Sequence, residues 1–194
     1  MSFWKQAILT LAVVLLGFTA VLGVPTVARA DTGTDWSVVQ NDANQIYWQA
    51  QSIQTWAGVV RSKAMAIAST ETDPEVVNAA TQIVALAAQV ERDAADIMVT
   101  AQDINYRIDH SEATTLRLSD DIGAMADRIG VMADRILWTE LQIGVMADRI
   151  VESEYLISYS SLSLASQIKS TTDLMINKTY EMQGTVAHMQ STLR

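Results

Sequence analysis

Large apolar residues recur every seven positions along most of this chain, and small residues occupy the positions between them. The clearest stretch is an almost exact heptad repeat, Ile-Gly-x-Met-Ala-Asp-Arg, which spans 122–128, 129–135 and, after one degenerate unit, 143–149. A strict seven-residue recurrence is typical of helices that pack along one continuous seam. The pattern therefore predicts an all-α bundle of long antiparallel helices with coiled-coil-like, alanine-rich packing.

The same bulky and small rows, together with turn signals, define the predicted helices. Valine or isoleucine recurs from Val39 to Ile67 and again from Ile83 to Ile104, with alanines between. Asp73 followed by Pro74 is a typical helix start, because aspartate caps free backbone N–H groups and proline suits the first helical position. We expect helices over about 36–69, 74–109, 112–154 and 162–192. If the stretch 109–121 is continuous helix instead of a turn, the bundle has three helices.

The first 30 residues differ in composition from the rest of the chain. Lys5 precedes an apolar run over residues 7–24, and Ala28-Arg29-Ala30 is a small-x-small cleavage site. These features predict an export signal cleaved after Ala30, which leaves residues 31–194 as one bundle domain in the periplasm or outside the cell. The alternative is an uncleaved anchor, since about 18 apolar residues just span a bilayer.

Charge and cysteine content narrow the possible functions. The 194 residues carry a net charge of −9, which becomes about −11 if Lys5 and Arg29 leave with the signal. An acidic balance argues against nucleic acid and anionic membrane surfaces as partners. We therefore expect membrane contact only through the signal before cleavage. The sequence contains no cysteine, so the exported domain must gain its stability from packing rather than from disulfides.

The repeat is the predicted interaction surface. Its Ile, Met, Ala and Gly positions form one apolar arc of about 160°, which is wide enough for more than one neighbouring helix. Each glycine costs the helix up to about 1 kcal/mol relative to alanine, so a repeated glycine suggests close approach of another backbone. Within the repeat, no Asp or Arg has an opposite charge three or four residues away. Their partners lie on another helix or chain, or these charges are solvated.

Twelve residues of the repeat are therefore candidates for interaction with a partner. They are Ile122, Gly123, Met125, Arg128, Ile129, Gly130, Met132, Arg135, Ile143, Gly144, Met146 and Arg149. If these residues meet a second copy of the chain or a helix of another protein, isoleucine and methionine supply the apolar contact. The arginines then set its register.

A second methionine row suggests different chemistry. Met175, Met182 and Met189 recur at heptad spacing, and His188 lies beside the last of them. Thioether and imidazole groups bind copper ions or haem iron. Methionine at a core position more commonly fills gaps between side chains, so core packing is the simpler interpretation of this row.

The sequence thus predicts an exported, non-enzymatic scaffold protein, without a cofactor, that self-associates or binds a partner helix through the repeat. No acid, base or nucleophile occurs in a catalytic arrangement that sequence spacing reveals. One alternative is a periplasmic carrier of a ligand, copper or haem that uses the methionine-lined interior. Another is a membrane-active helical protein whose bundle opens to expose its apolar arc.

Overall fold

The computed structural model describes residues 34–111 and 115–194, and the predicted export signal lies outside them. The described part contains four long helices, α1 (Trp36–Thr70), α2 (Pro74–His110), α3 (Thr115–Glu152) and α4 (Tyr159–Thr192). Helix α1 packs against α2 and α4, and α3 packs against the same two helices. The four helices therefore surround one core. The predicted all-α bundle is confirmed in its four-helix form.

The core consists of the bulky and small rows that the sequence predicts. On α1 both rows are completely buried, from Val39 to Ile67 and from Ala43 to Ala64. A row of alanines lets neighbouring helices approach closely, and the branched row beside it fills the space between them. The same arrangement is buried on α2. On α3 and α4 the buried small row also includes polar residues, namely Glu140, Thr172 and Thr179.

Polar side chains cap three helix starts. The Asp73 carboxylate accepts hydrogen bonds from the backbone N–H groups of Glu75 and Val76, at 2.9 and 3.1 Å, and Pro74 follows the cap, as predicted. Asp35 accepts a hydrogen bond from the Ser37 N–H at 3.1 Å. These side chains satisfy backbone donors that have no partner within the first turn of a helix.

The helix boundaries on either side of the connection between α3 and α4 differ from the expected ones. Helix α4 begins at Tyr159 rather than 162, because Ser158 is its N-cap and accepts a hydrogen bond from the Ser161 N–H at 3.2 Å. Serine disfavours a helix interior but is a strong N-cap, which the sequence interpretation did not apply here. Helix α3 covers 115–152 rather than 112–154.

The turn between α1 and α2 is bonded to the turn between α3 and α4. Glu71 Oε1 accepts hydrogen bonds from Ser158 Oγ at 2.7 Å and from the Ser158 N–H at 3.2 Å. Hydrogen bonds from Ser161 and Ser158 lower the pKa of Glu71, so the acceptor is ionised at neutral pH. The α4 cap thereby joins the two turns at one end of the bundle.

Two of the repeat glycines, Gly123 and Gly130, do not mark the close backbone approach that the sequence suggested. A methyl group added at Gly123 would meet no atom within 4 Å, and one at Gly130 would lie 3.8 Å from Val186 Cγ1, an ordinary van der Waals distance. Gly130 faces a side chain of α4, not its backbone. The expectation is therefore wrong for these two positions within the chain.

Replacing Gly123 by alanine should stabilise the protein by about 0.5–1 kcal/mol, because alanine removes the entropic cost of a helical glycine and meets open space. The measurement is the urea midpoint of unfolding. Gly58→Ala is the matched control, since its methyl would lie 3.3 Å from Glu91 Oε1 and Glu91 pairs with Arg61 at 3.2 Å. An unchanged or lower midpoint for Gly123→Ala would contradict this account.

Candidate functional site

The predicted interaction residues of α3 are distributed between the core and its edges. The isoleucines are completely buried inside the chain's own bundle, Met132 and Gly144 are buried, and Met125, Met146 and Gly123 are half-buried. Gly130 faces α4, and Met146 lines a groove with the first turns of α2. Arg128, Arg135 and Arg149 are exposed. The isoleucine row therefore serves the intramolecular core, and only the edges of the arc reach solvent.

The aspartates of the repeat have partners on α4. Asp127 accepts a hydrogen bond from Gln190 at 2.7 Å, and Asp134 accepts one from Gln183 at 2.8 Å. Asp148 pairs with Lys169 at 2.5 Å, and this hydrogen bond raises the pKa of the Lys169 ammonium group. From pair to pair the α3 partner advances by seven and then fourteen residues, while the α4 partner retreats by the same numbers. These contacts fix the register of the α3–α4 seam on its outer side.

One arginine of the repeat reaches α2. Arg135 donates two hydrogen bonds to Asp93, from Nη2 to Oδ1 at 2.6 Å and from Nε to Oδ2 at 2.9 Å. Asp93 is almost completely buried, and Gln89 Nε2 also lies 3.0 Å from each of its oxygens. A bidentate hydrogen bond between a guanidinium group and a carboxylate is among the stronger charged interactions in proteins. The charges of the repeat thus join α3 to both neighbouring helices.

The outward side of α3 carries an apolar stripe, defined here as Val131, Trp138 and Val145. These residues lie seven positions apart and point directly away from the core, and they are 66%, 57% and 37% exposed. The aspartate row borders the stripe on one side and the arginine row on the other. In a helical bundle surrounded by water, the helix face opposite the core normally carries polar side chains, so this apolar row is unusual.

The other helices show how unusual this stripe is. The equivalent position, two residues after each bulky core residue, is exposed on all four helices. On α4 it is occupied only by small or polar residues, and on α1 Trp48 stands alone among polar ones. On α2 two successive residues at this position, Val99 and Tyr106, are exposed and largely apolar, and Arg92 precedes them. Among the described helices, a run of three large apolar residues at this position therefore occurs on α3 alone.

The degenerate unit of the repeat, residues 136–142, places an acid in the alanine row. Glu140 stands where the other units have Ala126, Ala133 and Ala147, and its side chain is completely buried. Thr179 of α4 faces it, with Oγ1 at 3.1 Å from both carboxyl oxygens. A threonine hydroxyl has one proton to donate, so it satisfies at most one of these two oxygens.

Burial raises the pKa of Glu140 from 4.5 to about 8, and the hydrogen bond from Thr179 only partly opposes this rise. The cause is the loss of hydration of the ionised carboxylate in a core that offers it one donor. At neutral pH the side chain is therefore mostly a neutral carboxylic acid. Strongly shifted acids in a packed interior are candidates for functional groups.

The edge of the bundle becomes apolar at the level where the core becomes polar. In the degenerate unit, Leu141 replaces the repeat's aspartate and Leu137 replaces its glycine. The register set by the three aspartate contacts places Leu141 level with Ile176 of α4. Leu137 is buried, and Leu141 and Ile176 are half-buried, so aliphatic side chains occupy the edge of the α3–α4 seam near the level of Glu140.

Two residues of this site, Glu140 and Trp138, were missed by the sequence interpretation, which treated the unit between the exact repeats as a degenerate copy. The available signal was a charged residue in a row otherwise filled by alanine, and a tryptophan in the row that faces solvent. Departures from an exact repeat therefore identified this site better than the repeat itself.

The second methionine row and His188 do not converge in the structure. Met175, Met182 and Met189 are completely buried in the core. His188 is exposed, and its Nδ1 lies 2.7 Å from an oxygen of Asp42 on α1. Among the described residues, no group of three or more His, Cys, Asp or Glu side chains has the arrangement of a metal site. The row therefore packs the core in this structure, as the simpler interpretation held.

Substitution of Arg135 by alanine should destabilise the protein by about 2–3 kcal/mol, because Asp93 would remain buried without its guanidinium partner. Chemical unfolding measures this loss. Arg128→Ala is the matched control: it occupies the same repeat position and is exposed, and it makes no ion pair within the described residues. We expect a change within about 0.5 kcal/mol for the control. Equal losses for both variants would show that the Asp93 contact contributes nothing specific.

Comparisons with known proteins leave this site to be interpreted from its geometry. No protein-family model, curated protein or solved structure matches the chain. Within residues 34–111 and 115–194, no helix combines the length and apolar character needed to cross a membrane. The two features that remain for a functional argument are the apolar stripe and the buried Glu140 layer, both on α3.

Proposed function

We propose that this protein is an exported, non-enzymatic scaffold that self-associates through the outward face of α3. The observation that carries the proposal is the apolar stripe of Val131, Trp138 and Val145, on the one helix whose sequence is an almost exact repeat. The partner surface is therefore the outer side of the repeat. The isoleucine row, which the sequence indicated as the contact, instead packs the core behind this surface.

The stripe has the composition of an interaction surface. Tryptophan offers a large apolar area and is enriched among residues that dominate binding energy. Valines one heptad on either side extend this area along the helix, and the charged rows form a polar rim. Because the core is complete within one chain, a second copy would dock onto a folded bundle without having to open it.

Charge supports a second copy as the partner and favours one orientation. Asp127, Asp134 and Asp148 lie on one side of the stripe, and the repeat arginines lie on the other. Two α3 helices that pack in parallel along the stripe bring the acidic row of each copy beside the basic row of the other, whereas antiparallel packing opposes like charges. Arg128 and Arg149 make no ion pair within the described residues. They remain available for such contacts.

Light scattering across a concentration series should give a mass above that of the 21.2 kDa chain for the purified protein. Trp138→Ser should raise the dissociation constant at least about tenfold, because a central tryptophan contributes roughly 2 kcal/mol or more at an interface. Trp48→Ser is the matched control, since Trp48 is similarly exposed at the equivalent position of α1. Higher salt should also weaken the assembly, because the charged rims are screened.

A monomeric mass at every concentration would contradict self-association and would leave a helix of another protein as the candidate partner. An assembly that responds equally to Trp48→Ser and Trp138→Ser would place the interface elsewhere. Circular dichroism of both variants should show unchanged helix content, because both side chains lie outside the core.

A further inference from the structure

We propose that Glu140 and Thr179 form a proton-binding site that keeps the α3–α4 seam closed while the carboxyl group is neutral and loosens the seam when the proton leaves. The proposal does not depend on self-association. It concerns the interior side of α3, whereas the apolar stripe lies on the outer side.

The first argument is the poor solvation of the site. A buried carboxylate is stable when several donors surround it, and Glu140 has one, the Thr179 hydroxyl, shared between its two oxygens. The neutral carboxylic acid needs fewer hydrogen-bond donors around it, because its own O–H can donate to Thr179 Oγ1. The arrangement therefore suits the protonated form and penalises the ionised one.

The second argument is the lack of a neighbouring positive charge. On α1 no charged residue occurs between Asp42 and Arg61, and the titratable group in this stretch is Tyr47. On α2 none occurs between Glu75 and Glu91.

The charged residues nearest to the site on α4 and α3 already have partners. Beside Thr179, Lys178 and Glu181 pair with each other at 2.5 Å. On α3 itself, Arg135 is held by Asp93 and Asp148 by Lys169. No described cation is placed to neutralise Glu140, so ionisation must be compensated by water.

The third argument is the barrier to that water. Leu137 is buried at the position of the repeat's glycine, and Leu141 and Ile176 lie level with each other at the outer edge of the seam. Hydration of the carboxylate requires these residues to separate. The loss of one proton to solvent is thereby coupled to a displacement of α3 against α4, while the α1–α2 side is unaffected.

The sign of the pH effect follows from the direction of the pKa shift. The folded protein, with a Glu140 pKa of about 8, retains a proton that an unfolded chain, with a pKa near 4.5, has released. The contribution of Glu140 to stability is therefore greatest below about pH 4.5 and falls as the pH rises toward 8, after which it levels off. Within this window, one proton of linkage corresponds to about tenfold in the unfolding constant per pH unit, or about 1.4 kcal/mol.

The test is urea unfolding between pH 5 and about pH 9 of the wild-type protein, Glu140→Gln and Glu140→Ala. Glutamine keeps the shape and removes the proton equilibrium, and alanine restores the repeat. We expect the ratio of the wild-type unfolding constant to that of either variant to rise about tenfold per pH unit up to pH 8 and then to remain constant. A ratio independent of pH for both variants would overturn the proton-binding site. If Glu140→Gln does not fold, Glu140→Ala alone decides.

Hydrogen exchange at pH about 9 locates the loosening. Segments around Glu140 and Thr179 should exchange at least about tenfold faster in the wild-type protein than in Glu140→Gln, and the α1–α2 seam should exchange equally in both. Equal exchange at the α3–α4 seam would overturn the coupling of ionisation to seam opening, even if the pH dependence of unfolding shows that Glu140 binds a proton. Wild-type and variant proteins are compared at the same protein concentration, so that any self-association affects both alike.

Discussion

The alternation of an alanine row with a branched row is the constraint on which the rest of this structure depends. Small side chains allow neighbouring helices to approach closely, and branched side chains fill the space that remains. Such packing tolerates little that is large or charged in the small row. This is why a glutamate in that row is consequential, and why most other charges lie at the edges, where some of them connect α3 to α2 and α4.

Much of the fold was predictable from the sequence, whereas the site was predictable only in part. Heptad spacing reveals the buried face of each helix, and the turn at Asp73 and Pro74 follows from local chemistry. Periodicity does not reveal which helix covers that face. The isoleucines of the repeat were therefore assigned to a partner, although α2 and α4 of the same chain cover them. The burial of Glu140 depends equally on the neighbouring helix, because α4 covers the α3 face and places Thr179 against the carboxyl group.

The degenerate unit concentrates two opposite departures from the pattern within three residues. Trp138 is an apolar residue on the solvent side, and Glu140 is an acidic residue on the core side. Each is unfavourable for a simple bundle, since one exposes apolar surface and the other buries a titratable group. Stability alone favours neither residue, and for this reason the two proposals assign each of them a role beyond packing, Trp138 toward a second copy and Glu140 toward protons.

The irregular unit 136–142 also affects how accurately α3 aligns with its neighbours during folding. Nearly identical heptads allow a helix to slide by one unit along its neighbours at little energetic cost, so an exact repeat does not specify its own alignment. A slip of seven residues in either direction would place Leu141 level with Lys169 or Gln183, and in one direction Glu140 would face Val186 instead of a hydroxyl. The irregular unit therefore adds to the aspartate contacts of the repeat in selecting one alignment of α3.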